Sequence, residues 1–142
     1  MGKKSPRQLA KDKAWKEFSR YIRVKFSNSL GECECVTCGK VSHYKELQAG
    51  HFIDSRCNAV LFREDLVYPQ CPGCNLFKHG NYVQYTLFML KKHTQEEIEE
   101  FANLKHKTLK YTIDDFKELA DMYKGKTERL ILEKEIEKEI SF

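Results

Sequence analysis

The stretch YPQCPGCN, residues 68–75, sets Cys71 and Cys74 two residues apart and follows them at once with Asn75. Its counterpart upstream, CVTCGK at 35–40, repeats the spacing with Cys35 and Cys38 and adds Gly39. Each half fits a knuckle, a tight turn that points two thiolates at one ion, and four thiolates close the tetrahedral shell of Zn²⁺ completely. The zinc expected here is therefore structural, since a catalytic zinc keeps an open position for water. The alternatives are another thiolate-bound metal or a redox pair, although a redox CxxC normally stands alone at a helix start. Cys33 and Cys57 read as bystanders: Cys33 is two residues from Cys35, a poor chelating distance, and Cys57 has no paired partner.

The 32 residues between the knuckles carry more information than the knuckles. A plain zinc ribbon separates its pairs by roughly 15–20 residues. Here there is room for a strand KELQAGHFI, a wide loop DSRCNAVLFRED, a short returning strand LVYPQ and a turn CPGCNLFKHG that enters a helix. That order predicts an α+β fold, a zinc-stapled ββα-metal core in which His51 and Asn75 look at each other across a small cleft. The imidazole titrates near neutrality and can act as a general base; an amide oxygen suits a hard divalent cation. Against this, a histidine at a strand end is commonly a hydrogen-bonded structural residue, and asparagine is a good helix cap.

Length and composition bound the rest. The 142 residues make one domain's worth of chain, and 41% hydrophobic with 32% charged residues describe a folding, charged protein rather than a disordered one. No run approaches the 18 or so apolar residues needed to cross a bilayer, and MGKKSPRQLAKDK lacks the apolar core of a signal peptide. An intracellular, reducing setting follows, where CxxC pairs more often hold metal than form disulfides. The net charge of +4 is unevenly spread: residues 1–26 hold nine Lys or Arg against Asp12 and Glu17. Such a segment is either the electrostatic footprint of a nucleic-acid binder or a solvated helix face. Lys13, Lys16, Arg20 and Arg23 are the candidate DNA contacts, while Trp15, Phe18, Ile22 and Phe26 recur at helical spacing as a core stripe.

Punctuation organises the chain into a basic helical arm at 1–32, a metal-bound core at 33–80 and a helical region at 81–142. Ser5-Pro6 starts a helix of 6–27. Asn81 can cap YVQYTLFMLKKH, Thr94 and Glu97 form a capping box, and Thr112 with Asp115 opens a last helix. In that helix Ile113, Phe116, Leu119, Ala120 and Tyr123 make one apolar stripe, whereas Leu132, Ile136 and Ile140 recur every four residues between charges. The second stripe needs a partner surface.

The ordered set AWKEFSRYIR, CVTCGK, AGHFIDSR, LFRED, QCPGCN and HGN resembles the HNH nucleases of the four-cysteine type represented by phage endonuclease VII, and more closely the phage NinG (Rap) recombination nucleases. The resemblance implies a treble-clef-like core and phosphodiester hydrolysis in branched recombination intermediates, D-loops and junctions. It makes His51 the base, Asn75 a ligand of Mg²⁺ or Mn²⁺, and Asp65 the middle position of the signature, where asparagine is usual. It leaves the second ligand among Asp54, Asp65 and His79, because Gly50 stands where many members place an aspartate. His79, one helical turn after Asn75, could equally contact phosphate. Arg56 becomes a clamp on the scissile phosphate or an ordinary surface arginine. Pairing into a homodimer through the C-terminal helices and residence in the cytoplasm of a phage-infected host complete what the resemblance implies. The alternatives are a non-catalytic nucleic-acid-binding zinc module and a zinc-stapled protein-interaction module.

Overall fold

The computed structural model describes residues 2–54 and 57–136. Arg56, expected to clamp phosphate, and Ile140 of the second stripe lie outside the described residues.

Helix α1 spans Pro6–Lys25, with the Ser5 hydroxyl accepting from the Gln8 N–H at 3.1 Å and Pro6 fixing the first turn. It stops two residues short of the expected end. Ser27 instead bridges to Cys33, and its hydroxyl donates to the Arg23 carbonyl at 2.7 Å. Ala14, Phe18, Tyr21, Ile22 and Val24 form the buried face. Phe18 and Ile22 of the expected stripe are fully buried and Trp15, half-buried, packs against them, whereas Phe26 falls past the helix end and is 37% exposed.

Strands β1 (Glu32–Glu34) and β2 (Val41–His43) form an antiparallel hairpin whose loop holds Cys35 and Cys38. The loop is closed by Cys35 N–H to the Lys40 carbonyl and Gly39 N–H to the Cys35 carbonyl, both 2.9 Å. Gly39 sits at φ +81°, a left-handed conformation that glycine adopts without steric cost. Strands β3 (Gln48–His51) and β4 (Val67–Gln70) pair antiparallel, His51 opposite Val67 and Gln48 opposite Gln70. Both are shorter than predicted: Tyr44–Glu46 is a 3₁₀ turn, and the presumed loop contains a short helix, α2 (Asn58–Leu61). The second knuckle opens a π-helical turn over Gly73–Phe77, with Lys78 N–H reaching the Gly73 carbonyl at 2.9 Å. Val36 N–H donates to the Pro69 carbonyl at 3.0 Å and ties the first knuckle to β4.

Helices α3 (Tyr82–Leu90), α4 (Gln95–Asn103) and α5 (Ile113–Glu133) follow. The capping boxes of Thr94 with Glu97 and Thr112 with Asp115 form as read. Asn81 does not cap α3; it sits at φ +49° and its amide donates to Cys74 Sγ at 3.5 Å. Phe116, Ala120 and Tyr123 of α5 share one core with Phe18 and Tyr21 of α1 and with Ala49, Leu61 and Val67. Helices α1 and α5 thus cover the face of β3 on which Ala49 lies. A second cluster takes in Cys35, Cys71 and Cys74, and a third joins Phe52, Leu66 and Tyr68 to Tyr85 and Met89 of α3. The result is mixed α+β with two short hairpins.

The second apolar stripe does not form. Helix α5 ends at Glu133, Glu135 turns left-handed at φ +56°, and Ile136 folds back to bond the Ile131 carbonyl at 3.0 Å. Ile136 is buried inside the chain while Leu132 is 70% exposed, so the two share no face. Lys134 Nζ reaches the carbonyls of Val24 and Ser27 at 3.0 and 2.8 Å, satisfying the C-terminal end of α1. Of the residues expected to pair two copies, Ile136 is thus covered within the chain and Leu132 is left exposed.

Candidate functional site

Among the described residues, Cys35, Cys38, Cys71 and Cys74 bring their sulfurs within 4.8 Å of one another and could hold a zinc ion. A Zn–S bond of about 2.3 Å gives tetrahedral edges of about 3.8 Å, and Cys38 Sγ lies 3.7 Å from Cys71 Sγ. Around the sulfurs, Cys74 N–H points at Cys71 Sγ at 3.4 Å and Thr37 Oγ1 lies 3.3 Å from Cys35 Sγ. The same hydroxyl oxygen accepts from Gln70 Nε2 at 3.1 Å, and toward an ionised Cys35 it would be the donor. Burial raises the Cys35 thiol, but Thr37 and nearby backbone N–H groups outweigh it and bring it down to about 6. The Lys40 N–H lowers Cys38, yet burial and the three neighbouring sulfurs push it up to about 12. Thiols this crowded compete for charge, and a divalent cation is what lets all four ionise.

Beside the cluster, His51, Asp54, Asn75 and His79 line one cleft of about 390 Å³, with Leu76, Gly80 and Tyr82 on its rim. The β3–β4 pair delivers His51 at the end from which the connecting segment leaves, and the π-helical turn that contains Cys74 delivers Asn75. Four of the residues singled out by sequence are thus brought together. His51 Nε2 lies 3.2 Å from the Leu61 carbonyl, which can only accept, so the proton is assigned to Nε2 and the basic lone pair to Nδ1. Asn75 Nδ2 donates to Gln48 Oε1 at 2.8 Å, which assigns Oδ1 as the atom available to a cation. The Tyr82 phenol is raised by burial and then by the Asp54 charge beside it.

Asp65 is not brought into the cleft. Its carboxylate is forked by Arg63, Nε to Oδ1 at 2.9 Å and Nη2 to Oδ2 at 2.7 Å, and the Arg63 bonds hold it below the usual carboxylate range. The Leu61 carbonyl, rather than residue 65, holds the imidazole.

Sequence reasoning missed three residues. Trp15 of α1 stacks on His51 with ring centroids 4.8 Å apart; its helical spacing marked it only as core. Gln48 gave no signal. Gln70, fully buried, explains Gly50: a Cβ there would lie 1.8 Å from Gln70 Oε1. The amide fills the space that a side chain at 50 would need, while Gln70 Nε2 bonds Thr37 and the Gly80 carbonyl. Thr37 and Gln70 thereby connect the first knuckle to the cleft wall.

The basic helix divides. Lys13 and Lys16 are exposed; Arg20 is half-buried, with Glu17 at 4.0 Å. Arg23 is turned inward, donating to the Ser19 carbonyl at 3.1 Å and the Tyr44 carbonyl at 2.9 Å. It joins α1 to the metal-bearing half and is withdrawn from the candidate DNA contacts.

A family model described as Bacteriophage Lambda NinG protein matches residues 2–135. The chain is similar to Protein ninG of Escherichia phage lambda, 29% identical over 97 residues that cover 68% of this chain and 47% of that protein. Protein ninG of Escherichia phage 933W and of Salmonella phage P22 are each 27% identical over the same shares. The chain spans about half the length of the curated relatives it matches. No solved structure matches it.

Proposed function

The chain belongs to the bacteriophage lambda NinG family, and on that footing we propose that it is a metal-dependent endodeoxyribonuclease of the HNH kind that hydrolyses phosphodiesters in branched recombination intermediates. The reading takes the β3–β4 hairpin and the π-helical turn as a ββα-metal core stapled by structural zinc. One observation carries it: His51 and Asn75 line the same cleft, and each has one polar atom committed to the scaffold, Nε2 to Leu61 and Nδ2 to Gln48. Nδ1 is then the base and Oδ1 the oxygen for a cation.

In this reading His51 Nδ1 accepts a proton from water as its oxygen attacks phosphorus and the bond to the 3′ oxygen breaks. Mg²⁺ or Mn²⁺, held by Asn75 Oδ1 with His79 or Asp54, would stabilise charge on the phosphate and the departing oxygen. Lys13, Lys16 and Arg20 contact the DNA backbone. Host cytoplasm is the proposed location; among the described residues no helix is long and apolar enough to cross a membrane. Pairing of two copies through the C-terminal helices rests on the resemblance and on the exposed Leu132, with Ile136 covered within the chain.

The test is cleavage of linear, flap, D-loop and four-way DNA with Mg²⁺, Mn²⁺ or EDTA, wild type beside His51→Ala. A placed base contributes about 10²–10⁴ in rate, so the variant falls by that order at unchanged zinc content; cleavage at the wild-type rate refutes the assignment. A second reading, a DNA-binding zinc module that does not cut, is favoured by the engagement of Asp65 with Arg63 outside the cleft. Salt-dependent DNA affinity without cleavage under any divalent ion selects it.

A further inference from the structure

The turn that presents Asn75 also carries the most exposed of the large apolar side chains among the described residues. Phe77 is 80% exposed and Leu76 beside it 55%. Leu76 is shared between this tip and the cleft, where it lines the wall with His51 and Asn75. Whatever covers Leu76 and Phe77 therefore also lies across the mouth of the cleft. A protein seated there would shut the cleft to any phosphodiester. A nucleic acid running through it would not, because the nucleotide next to the bound phosphate brings its base to the rim. The surrounding charge fits that occupant: Lys78 follows Phe77 directly and is exposed, and Lys13 and Lys16 are exposed on the helix whose Trp15 touches His51.

Paired DNA keeps its base faces inside the stack, whereas a branch point leaves some of them accessible. Aromatic side chains take such faces without regard to sequence, since every base has a π-face, and apolar wedges at the edge of a binding site insert between loosened steps. We infer that Phe77, with Leu76, is a stacking wedge for an unstacked nucleobase at the branch point of the DNA whose phosphate occupies the cleft. The inference rests on the nuclease reading above and adds to it the feature that distinguishes branched from linear substrate.

The experiment measures affinity of the full chain for a four-way DNA and for a linear duplex of equal length, in EDTA so that no cleavage intervenes. Wild type, Phe77→Ser and Phe77→Trp are compared, each with intact DNA and with DNA carrying abasic sugars at the branch point. Phe77→Ser should lose about tenfold or more in affinity for the four-way DNA with linear affinity unchanged, and Phe77→Trp should retain the preference. Abasic sugars should weaken wild type to the same level and leave Phe77→Ser unaffected, the coupling expected of two groups that touch. Equal losses on both DNA shapes, or additive losses with the abasic sugars, overturn the wedge. So does a Phe77→Ser protein that binds like wild type but changes from dimer to monomer in light scattering, which would assign the tip to a second copy. Because Phe77 is exposed, zinc content and thermal midpoint serve as folding controls. Hydrolysis by His51→Ala at the wild-type rate would refute the base assignment while leaving the binding result intact, so the two failures are distinguishable.

Discussion

The indole of Trp15 lies stacked on the imidazole of His51, centroids 4.8 Å apart and planes 19° from parallel. The contact ties the basic helix to the C-terminal end of β3 and holds the ring where Nε2 meets the Leu61 carbonyl. An aromatic pair of this kind is worth about 0.5–1.5 kcal/mol beyond its buried area. Under the proposed function, Trp15→Ala should lower the single-turnover cleavage rate about two- to tenfold with little change in DNA affinity, and Trp15→Phe should keep most of the rate. A loss confined to affinity would mean that Trp15 serves the DNA surface rather than the base.

Three of the four candidate ligands, Cys35, Cys71 and Cys74, sit in a cluster that also contains Val24, Tyr44, Leu47, Ile131 and Ile136. Loss of a bound ion would therefore loosen the C-terminal ends of α1 and α5 together with the knuckles. Cys71→Ser, or a strong chelator, should release one zinc per chain and abolish the cooperative thermal transition. A metal-free protein that melts as the zinc-bound form does would contradict this.

Gly50→Ala places a methyl group onto Gln70 Oε1, the end of a side chain that is fully buried and anchored through Nε2 to Thr37 and the Gly80 carbonyl. Overpacking of this kind costs about 1–3 kcal/mol. Thermal or denaturant unfolding should show that loss, and Gly50→Ala combined with Gln70→Ala should recover part of it. If Gly50→Ala is neutral alone, the close approach does not govern the choice of residue 50.

Arg23 and the exposed lysines should separate cleanly. Arg23→Ala leaves the Tyr44 carbonyl without its donor and should cost about 1–3 kcal/mol of stability, with the salt dependence of DNA binding unchanged. Lys13→Ala with Lys16→Ala should do the reverse, flattening the salt slope by up to about one unit for each phosphate that is no longer neutralised.

Asp65 titrates below the usual carboxylate range in the folded chain because Arg63 bonds its charged form. A depressed folded value stabilises the protein above the ordinary carboxylate pKa of about 4 and loses that contribution as pH falls through the folded value. Both partners are partly exposed, so the pair is worth less than about 1 kcal/mol. Asp65→Asn should accordingly remove a small acid-sensitive increment of stability while cleavage is kept. Complete loss of cleavage would place Asp65 in the catalytic machinery after all.

Parts of this architecture are visible in short-range chemistry. The two CxxC pairs, the capping boxes at Thr94 and Thr112 and the Ser5-Pro6 start each involve residues within a turn of one another, and all appear in the structure. The convergence of His51 and Asn75 was legible too, because the knuckles fix where the hairpin ends and the next turn begins; of the further ligand candidates the resemblance offered, Asp54 and His79 line the cleft and Asp65 does not. The β1–β2 hairpin was not, since three-residue strands show no usable period. The repeat of Leu132 and Ile136 misled, because the period of four continues past Glu133 although the backbone does not.

The sequence by itself determined the four-thiol site, the α+β order of elements and the pairing of a histidine with an asparagine across the second knuckle. These depend on spacing along the chain, and a metal knuckle or a helix cap is completed by near neighbours. Only the tertiary structure decided that Trp15 supports His51, that Gln48 orients Asn75, that Gln70 occupies the room beside Gly50 and that Arg23 turns inward. Each of those relations joins residues 20 or more positions apart. Packing sets such relations: a side chain's role depends on which face of its element the rest of the chain covers, and no local pattern encodes that choice.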